Sequence, residues 1–246
     1  MISRRHIFAA FATAGSRGGA AVALRIEDGA LLRVENERAA AGRGAAPGSA
    51  LKPWLLEALR PWRPRACTGE LRIADHRLDC IHAPVAGALD AETALAASCN
   101  QWFAASALAA GPRRILQRLQ EGGAQARLAQ TPEELQLQAL GLEAVPVTVF
   151  AMARIYRRLA LEGGPVVAAG LRRAVTEGTA QAAQVDGIEI AGKTGTSRDG
   201  AWFGGFAPAG RPVIALAVFQ PGGRGPRDAA PAAAELFQWA RRSGLL

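Results

Sequence analysis

Lysine is nearly missing from this chain of 246 residues: of its 29 basic residues only Lys52 and Lys193 are lysine, and the rest are arginine. There is no lysine-rich tail, no zinc-finger spacing and no aromatic-rich RNA-binding strand. The net charge of +8 is therefore not attached to any recognisable nucleic-acid module. A pI near 10.8 suits an acidic partner, or reflects a bias towards arginine and alanine throughout the chain. Long apolar runs are also missing, and none approaches the roughly 18 to 20 residues of a membrane-spanning helix. No internal repeat is present. Cysteine is sparse, at three residues. Half of the residues are hydrophobic and a fifth are charged, as in a soluble globular protein, and the length suits one large domain or two small ones.

The first 16 residues read as an export signal or a disordered N-terminus. Arg4 and Arg5 form a basic start, Ile7 to Ala14 are apolar, and Ala12-Thr13-Ala14 is a small-residue cleavage pattern. Ser3-Arg4-Arg5-His6-Ile7-Phe8 resembles a twin-arginine leader, and a frayed helix is the plainer alternative. Cys67 and Cys80 flank two short runs, Leu71-Arg72-Ile73 and Arg77-Leu78-Asp79, around Ala74-Asp75-His76. Three readings stay open: a disulfide clipping a hairpin, two free thiols, or a metal held by Cys67, Cys80 and His82.

Strand patterns occupy residues 20–26 and 30–35, joined by the turn Glu27-Asp28-Gly29. Residues 39–48 read as a loop. Leu51, Leu55, Leu56 and Leu59 recur at helical spacing, so Ser49 stands at a helix start. Asp90 caps a second helix that runs into Ser98-Cys99-Asn100, and another helical stretch follows from Gln101. Helices are expected over 112–121, about 148–161 and about 166–177. Strands are expected over 185–194, 201–207 and 212–219, and a last helix over 229–241. Short turns between strands imply an antiparallel sheet of about five strands, with the first hairpin paired to strands from the far end.

The two lysines lie in the two most suggestive motifs. An amine whose pKa falls on burial serves as a base where a guanidinium cannot. Lys52 stands three residues after Ser49, one helical turn away, which puts a base beside a nucleophile. Gly187 to Thr194 matches the phosphate-loop pattern G-x-x-x-x-G-K-T letter for letter. Its interior alternates like a strand, and a turn rather than a helix follows Lys193, so nucleotide binding is a distant alternative.

Three patterns occur in order: Ser49-x-x-Lys52, Ser98-x-Asn100 and Lys193-Thr194-Gly195. This set resembles the penicillin-recognising serine enzymes. Pro47-Gly48-Ser49-Ala50-Leu51-Lys52-Pro53 looks like the nucleophile segment of penicillin-binding proteins, and Thr93 to Phe103 is similar to their second motif. Val145 to Tyr156 with Gly163-Gly164 resembles their long core helix, and Gly192 to Ser197 followed by Ala201 to Pro208 their third motif. The match runs from about residue 18 to 240. The resemblance implies an α/β fold of the α+β type: a central antiparallel sheet flanked by helices, with a small all-helical subdomain at about 60–165 inserted in a single domain over 17–246.

The resemblance also implies roles. Ser49 is the nucleophile, Lys52 the base, and Ser98 and Asn100 proton relay and hydrogen-bond partner. Lys193 lowers the pKa of Lys52 and holds a substrate carboxylate, with Thr194, Gly195 and Thr196 lining the substrate. The oxyanion hole falls to the backbone N–H groups of Ser49 and Thr196. Trp202 and Phe203 line the groove or belong to the sheet core. No cofactor and no metal enter this reaction. The implied partners are peptidoglycan stem peptides, β-lactams and other cell-wall synthesis proteins, in the cell envelope. The expected activity is D,D-transpeptidation. The alternatives are a D,D-carboxypeptidase and a β-lactam sensor or non-catalytic module. No Glu-x-x-x-Asn element marks a β-lactamase.

Overall fold

A computed structural model describes residues 18–85 and 87–246, so the N-terminal export pattern lies outside the described residues. Along the chain come β1 (Ala20–Arg25), β2 (Leu31–Glu35), α1 (Glu37–Ala41) and α2 (Lys52–Leu55). Four two-residue strands follow: β3 (Arg65–Ala66), β4 (Arg72–Ile73), β5 (His76–Arg77) and β6 (Ala88–Leu89). The helices are α3 (Ala91–Ala96), α4 (Asn100–Ala110), α5 (Pro112–Glu121), α6 (Pro132–Ala139), α7 (Val149–Glu162) and α8 (Gly164–Thr176). The chain then forms β7 (Ala191–Thr196), β8 (Gly200–Ala207), β9 (Ile214–Pro221) and α9 (Ala230–Arg242).

The main sheet is antiparallel, in the order β2-β1-β9-β8-β7. The first hairpin thus joins strands from the far end, as its sequence pattern predicts. Alternation along the strands sends side chains to opposite faces. Val22, Trp202, Phe206, Ala215 and Ala217 join one core with Tyr156 and Met152 of α7. Ala21, Ala23, Phe203, Leu216 and Val218 join the other with Leu236 and Phe237 of α9. Every residue of β8 is buried, because helices cover both of its faces. Gly204 is required there: a Cβ would run into the Tyr156 ring.

The helix starts follow their caps. Asp90 accepts the Thr93 N–H at 2.8 Å, and Thr148 accepts the Ala151 N–H at 3.1 Å. Three assignments need correction. The supposed loop 39–48 begins inside α1, which Asn36 caps from a left-handed conformation, φ 51°. Helix α6 was not expected, although Thr131-Pro132-Glu133-Glu134 carries the Thr-x-x-Glu start signal and Thr131 caps it at 3.2 Å. The strand expected over 185–194 is confined to its end. Val185 and Ile188 instead bridge each other around Asp186-Gly187, where Gly187 takes φ +75°. Lys193 therefore lies inside strand β7 and not at a helix start, so no phosphate loop forms.

The hairpin around Ala74-Asp75 is present as β4–β5, extended by Leu78 N–H to Leu71 O at 2.8 Å and Cys80 N–H to Gly69 O at 2.8 Å. The Cys67 and Cys80 sulfurs meet across its base, 3.6 Å apart, as free thiols rather than a disulfide. No helix among the described residues is long and apolar enough to cross a membrane.

One buried bond ties helix to nucleophile turn: the Tyr156 hydroxyl donates to Ala50 O at 2.8 Å. Tyr156→Phe strands a buried carbonyl, so stability should fall by about 1–3 kcal/mol. The check is urea unfolding, with a lower midpoint at unchanged slope. An unmoved midpoint would show that the bond contributes nothing net.

Candidate active site

Ser49 sits in a single 3-10 turn, Gly48–Leu51, that runs directly into α2. Contacts from three sides hold the turn. Gly48 adopts φ +54°, and a Cβ there would overlap the Thr196 backbone. Its N–H donates to Gly141 O at 2.8 Å, and Gly141 itself takes φ +72° against Gly48. A Cβ on Gly195 would overlap Pro47 O. Upstream, Ala46 O accepts from the Ser197 hydroxyl at 2.7 Å and the Trp202 indole at 3.0 Å, while the Ala46 N–H donates to Asp199 at 2.7 Å. Glycine is needed at Gly48 and Gly195 because β7 and the Ser49 turn touch backbone to backbone.

Lys52 is wholly buried. Its ammonium donates to Asn100 Oδ1 at 2.6 Å, Ser98 O at 2.8 Å and Ser98 Oγ at 3.4 Å. It stands 5.1 Å from the centre of the Phe103 ring. Ser98 occupies the left-handed region at φ 58°, in the sharp junction between α3 and α4. This conformation lets its carbonyl and its hydroxyl face the same amine; such strain persists only where surroundings enforce it. Asn100 opens α4, and its Nδ2 donates to Leu78 O at 2.9 Å, which fixes Oδ1 towards Lys52.

Lys193 is equally buried, in edge strand β7. Its ammonium donates to Thr179 Oγ1 at 3.1 Å and Thr194 O at 3.4 Å. The Thr194 hydroxyl is buried and 2.7 Å from that of Thr179. Thr196 is exposed, and its Oγ1 accepts the Gly225 N–H at 2.9 Å.

Burial draws Lys52 from the usual lysine range down to about 8, opposed by the Cys99 and Cys80 sulfurs. Burial also draws Lys193 well below that range, with the Lys52 charge second. Desolvation is the leading cause for both amines, and the charge of Lys52 adds to it at Lys193.

The structure thus brings Lys52, Ser98 and Asn100 into one hydrogen-bonded group and lays β7, with Lys193 to Thr196, against the Ser49 turn. Trp202 and Phe203 are buried core residues on opposite faces of the sheet. Sequence reasoning missed Thr179, which stands in the turn after α8 without any spacing signal. It also missed Leu78 and Gly141, which act through backbone carbonyls that no side-chain motif encodes.

The family model for the penicillin-binding protein transpeptidase domain matches residues 69–238. This chain belongs to that family. The matched stretch takes in Ser98, Asn100 and Lys193 and begins after Ser49 and Lys52. The fold extends further. The D,D-transpeptidase domain of a peptidoglycan glycosyltransferase from Eggerthella lenta is similar over 94% of this chain and 79% of its own, with a TM-score of 0.77 and 22% identity. The transpeptidase domain of Burkholderia pseudomallei penicillin-binding protein 3 is similar over 92% and 88%, with a TM-score of 0.78 and 18% identity. M. tuberculosis penicillin-binding protein A, solved as an imipenem acyl-enzyme complex, is similar over 91% and 74%, with a TM-score of 0.71 and 19% identity. No curated protein matches the sequence. Members of the family are serine acyltransferases of peptidoglycan synthesis, acting outside the cytoplasm.

With only two lysines in the chain, lysine-selective NMR labelling isolates the site. Lys52 should titrate near pH 8 and Lys193 well below the usual range. An unfolded lysine keeps its proton to about 10.4, so the Lys52 contribution to stability should rise with pH from about 8 to that value. Asn100→Asp sets a carboxylate against the Lys52 amine and should move its titration upward. Two signals titrating at the ordinary lysine value would contradict the desolvated pair.

Proposed function

We propose that this protein is a D,D-transpeptidase that acts on D-alanyl-D-alanine ends of peptidoglycan stem peptides and is acylated by β-lactams. One observation carries the reading. A buried, desolvated amine, Lys52, stands one helical turn after the partly accessible Ser49, and the Ser98-x-Asn100 motif holds it in place.

Neutral Lys52 takes the proton of Ser49 Oγ as the oxygen attacks the carbonyl of the penultimate D-alanine. The N–H groups of Ser49 and Thr196 receive the oxyanion, a pairing supported by the backbone contact between Gly48 and Thr196. Collapse of the tetrahedral adduct breaks the peptide bond. The departing D-alanine amine takes the proton back from Lys52, relayed through the Ser98 hydroxyl. An acceptor amine then attacks the ester and releases Ser49. The exposed Thr196 hydroxyl receives the substrate carboxylate. The buried Thr194 hydroxyl joins it only by exchanging its partner Thr179. Gly195 lets the substrate backbone lie along the β7 edge. The natural setting of this reaction is the cell envelope, beside other cell-wall synthesis proteins.

Incubation with a fluorescent penicillin should add one adduct to the intact mass, mapped to the peptide containing Ser49. Its rate should rise with pH through about 8 as Lys52 becomes neutral. Lys52→Arg keeps the charge but cannot accept a proton, and acylation should fall by at least about a hundredfold, the scale of general-base catalysis. An adduct elsewhere, or near-normal acylation of Lys52→Arg, would overturn the assignment. Release of D-alanine without transfer to an acceptor amine would mark a D,D-carboxypeptidase. A stable acyl-enzyme with no turnover of stem peptide would mark a sensor.

A further inference from the structure

Beside the second motif lies a cluster that the acyl-transfer reading does not use. The sulfurs of Cys67, Cys80 and Cys99 and a ring nitrogen of His82 all lie within 4.8 Å of one another. Sequence spacing suggested Cys67, Cys80 and His82. The structure adds Cys99, the middle residue of Ser98-Cys99-Asn100. We propose that these four residues bind one structural zinc ion.

Three of the six ligand separations match those of a zinc site. A tetrahedral ion with metal–sulfur bonds of about 2.3 Å and a metal–nitrogen bond of about 2.0–2.1 Å sets sulfurs about 3.8 Å apart and sulfur and nitrogen about 3.6 Å apart. Here Cys67 and Cys80 sulfurs are 3.6 Å apart, Cys80 and Cys99 sulfurs 3.8 Å, and Cys67 Sγ and His82 Nε2 3.6 Å. The imidazole is oriented for the task. Its Nδ1 lies 2.8 Å from Ala83 O, so Nδ1 carries the proton and the Nε2 lone pair faces the sulfurs. Cys99 is the N-cap of α4, and its sulfur accepts the Trp102 N–H at 3.4 Å, which fixes its position beside the other sulfurs. Three soft thiolates and one imidazole, with no position left for a substrate, form a closed structural set. A Cys67–Cys80 disulfide would leave Cys99 and His82 without a task.

The ion would fasten the base of the β4–β5 hairpin to the first residue pair of α4. Asn100 is next to Cys99 and already bonds Leu78 O of that hairpin, and Gln101 bonds the Thr68 hydroxyl at 2.8 Å. The metal is thus a positioning group: it sets Asn100, and Asn100 sets Lys52.

The test uses the full chain purified under reducing conditions without chelator. Elemental analysis should find one zinc per chain. Replacement by cobalt should give the intense visible bands of a tetrahedral ion together with thiolate charge-transfer bands. His82→Ala and Cys67→Ser, at the partly exposed side of the cluster, should each lower zinc affinity at least about tenfold. Chelation should lower the thermal midpoint of the wild type. Ser49→Ala cannot be acylated but should keep its zinc, which separates this proposal from the assignment of the nucleophile. Should a cysteine variant fail to fold, the cobalt spectrum of the wild type still decides. A chain that takes up no zinc when supplied with the metal would overturn the site, as would a mass lacking two thiol hydrogens with Cys67 and Cys80 cross-linked. Unchanged affinity and cobalt bands in His82→Ala would overturn the ligand set.

Discussion

Two buried amines impose the main constraint on this protein, and Lys52 is the more demanding. Removing an ammonium from water costs several kcal/mol unless its donors are met. The partners of Lys52 are Asn100 Oδ1 and the carbonyl and hydroxyl of Ser98. They must come from a junction between two helices, because a continuous helix would commit the Ser98 carbonyl to its own ladder. The left-handed Ser98 is the break that frees it. Asn100 in turn needs a fixed amide, which Leu78 O supplies from the β4–β5 hairpin. The placement of α3, α4 and the hairpin can therefore be read as support for one proton-accepting nitrogen. The same burial that makes the amine costly to hold also makes it a base near neutral pH.

Much of this was legible in the sequence. Alternation gave β1, β2, β8 and β9, and the Asp28-Gly29 turn gave the first hairpin. Asp90 as a cap and the amphipathic pattern from about 148 marked helices that begin where expected. Lys52, Ser98 and Asn100 do meet in space, β7 lies against the Ser49 turn, and the rarity of lysine pointed to both buried amines. Other features were legible in principle but overlooked. The Thr131-x-x-Glu134 signal marks α6, and Asp186-Gly187 marks a turn within what looked like a strand.

The remainder was not encoded in local pattern at all. Thr179 is polar and lies in a turn, like many threonines, and only the packing of α8 against β7 brings it to Lys193. Aromatic residues near a motif read as groove or, more readily, as core. Trp202 and Phe203 proved to be core because β8 is a central strand with helices on both faces. Cys99 looked like a spacer between two functional residues. Its neighbours in space come from a hairpin whose register the sequence does not fix.

The backbone contact between Gly48 and Thr196 also bears on when the site can exist. The turn carrying Ser49 belongs to the first quarter of the chain, whereas β7, which presses against it, belongs to the last. Strand β7 is itself ordered by β8, and β8 by β9, which pairs with β1 near the start. A chain emerging from its N-terminus therefore holds its serine and first lysine for most of its synthesis without the strand that packs against the Ser49 turn. The packed turn forms late, when the closing strands dock. A Ser49 turn packed against β7 therefore itself reports that the sheet has closed.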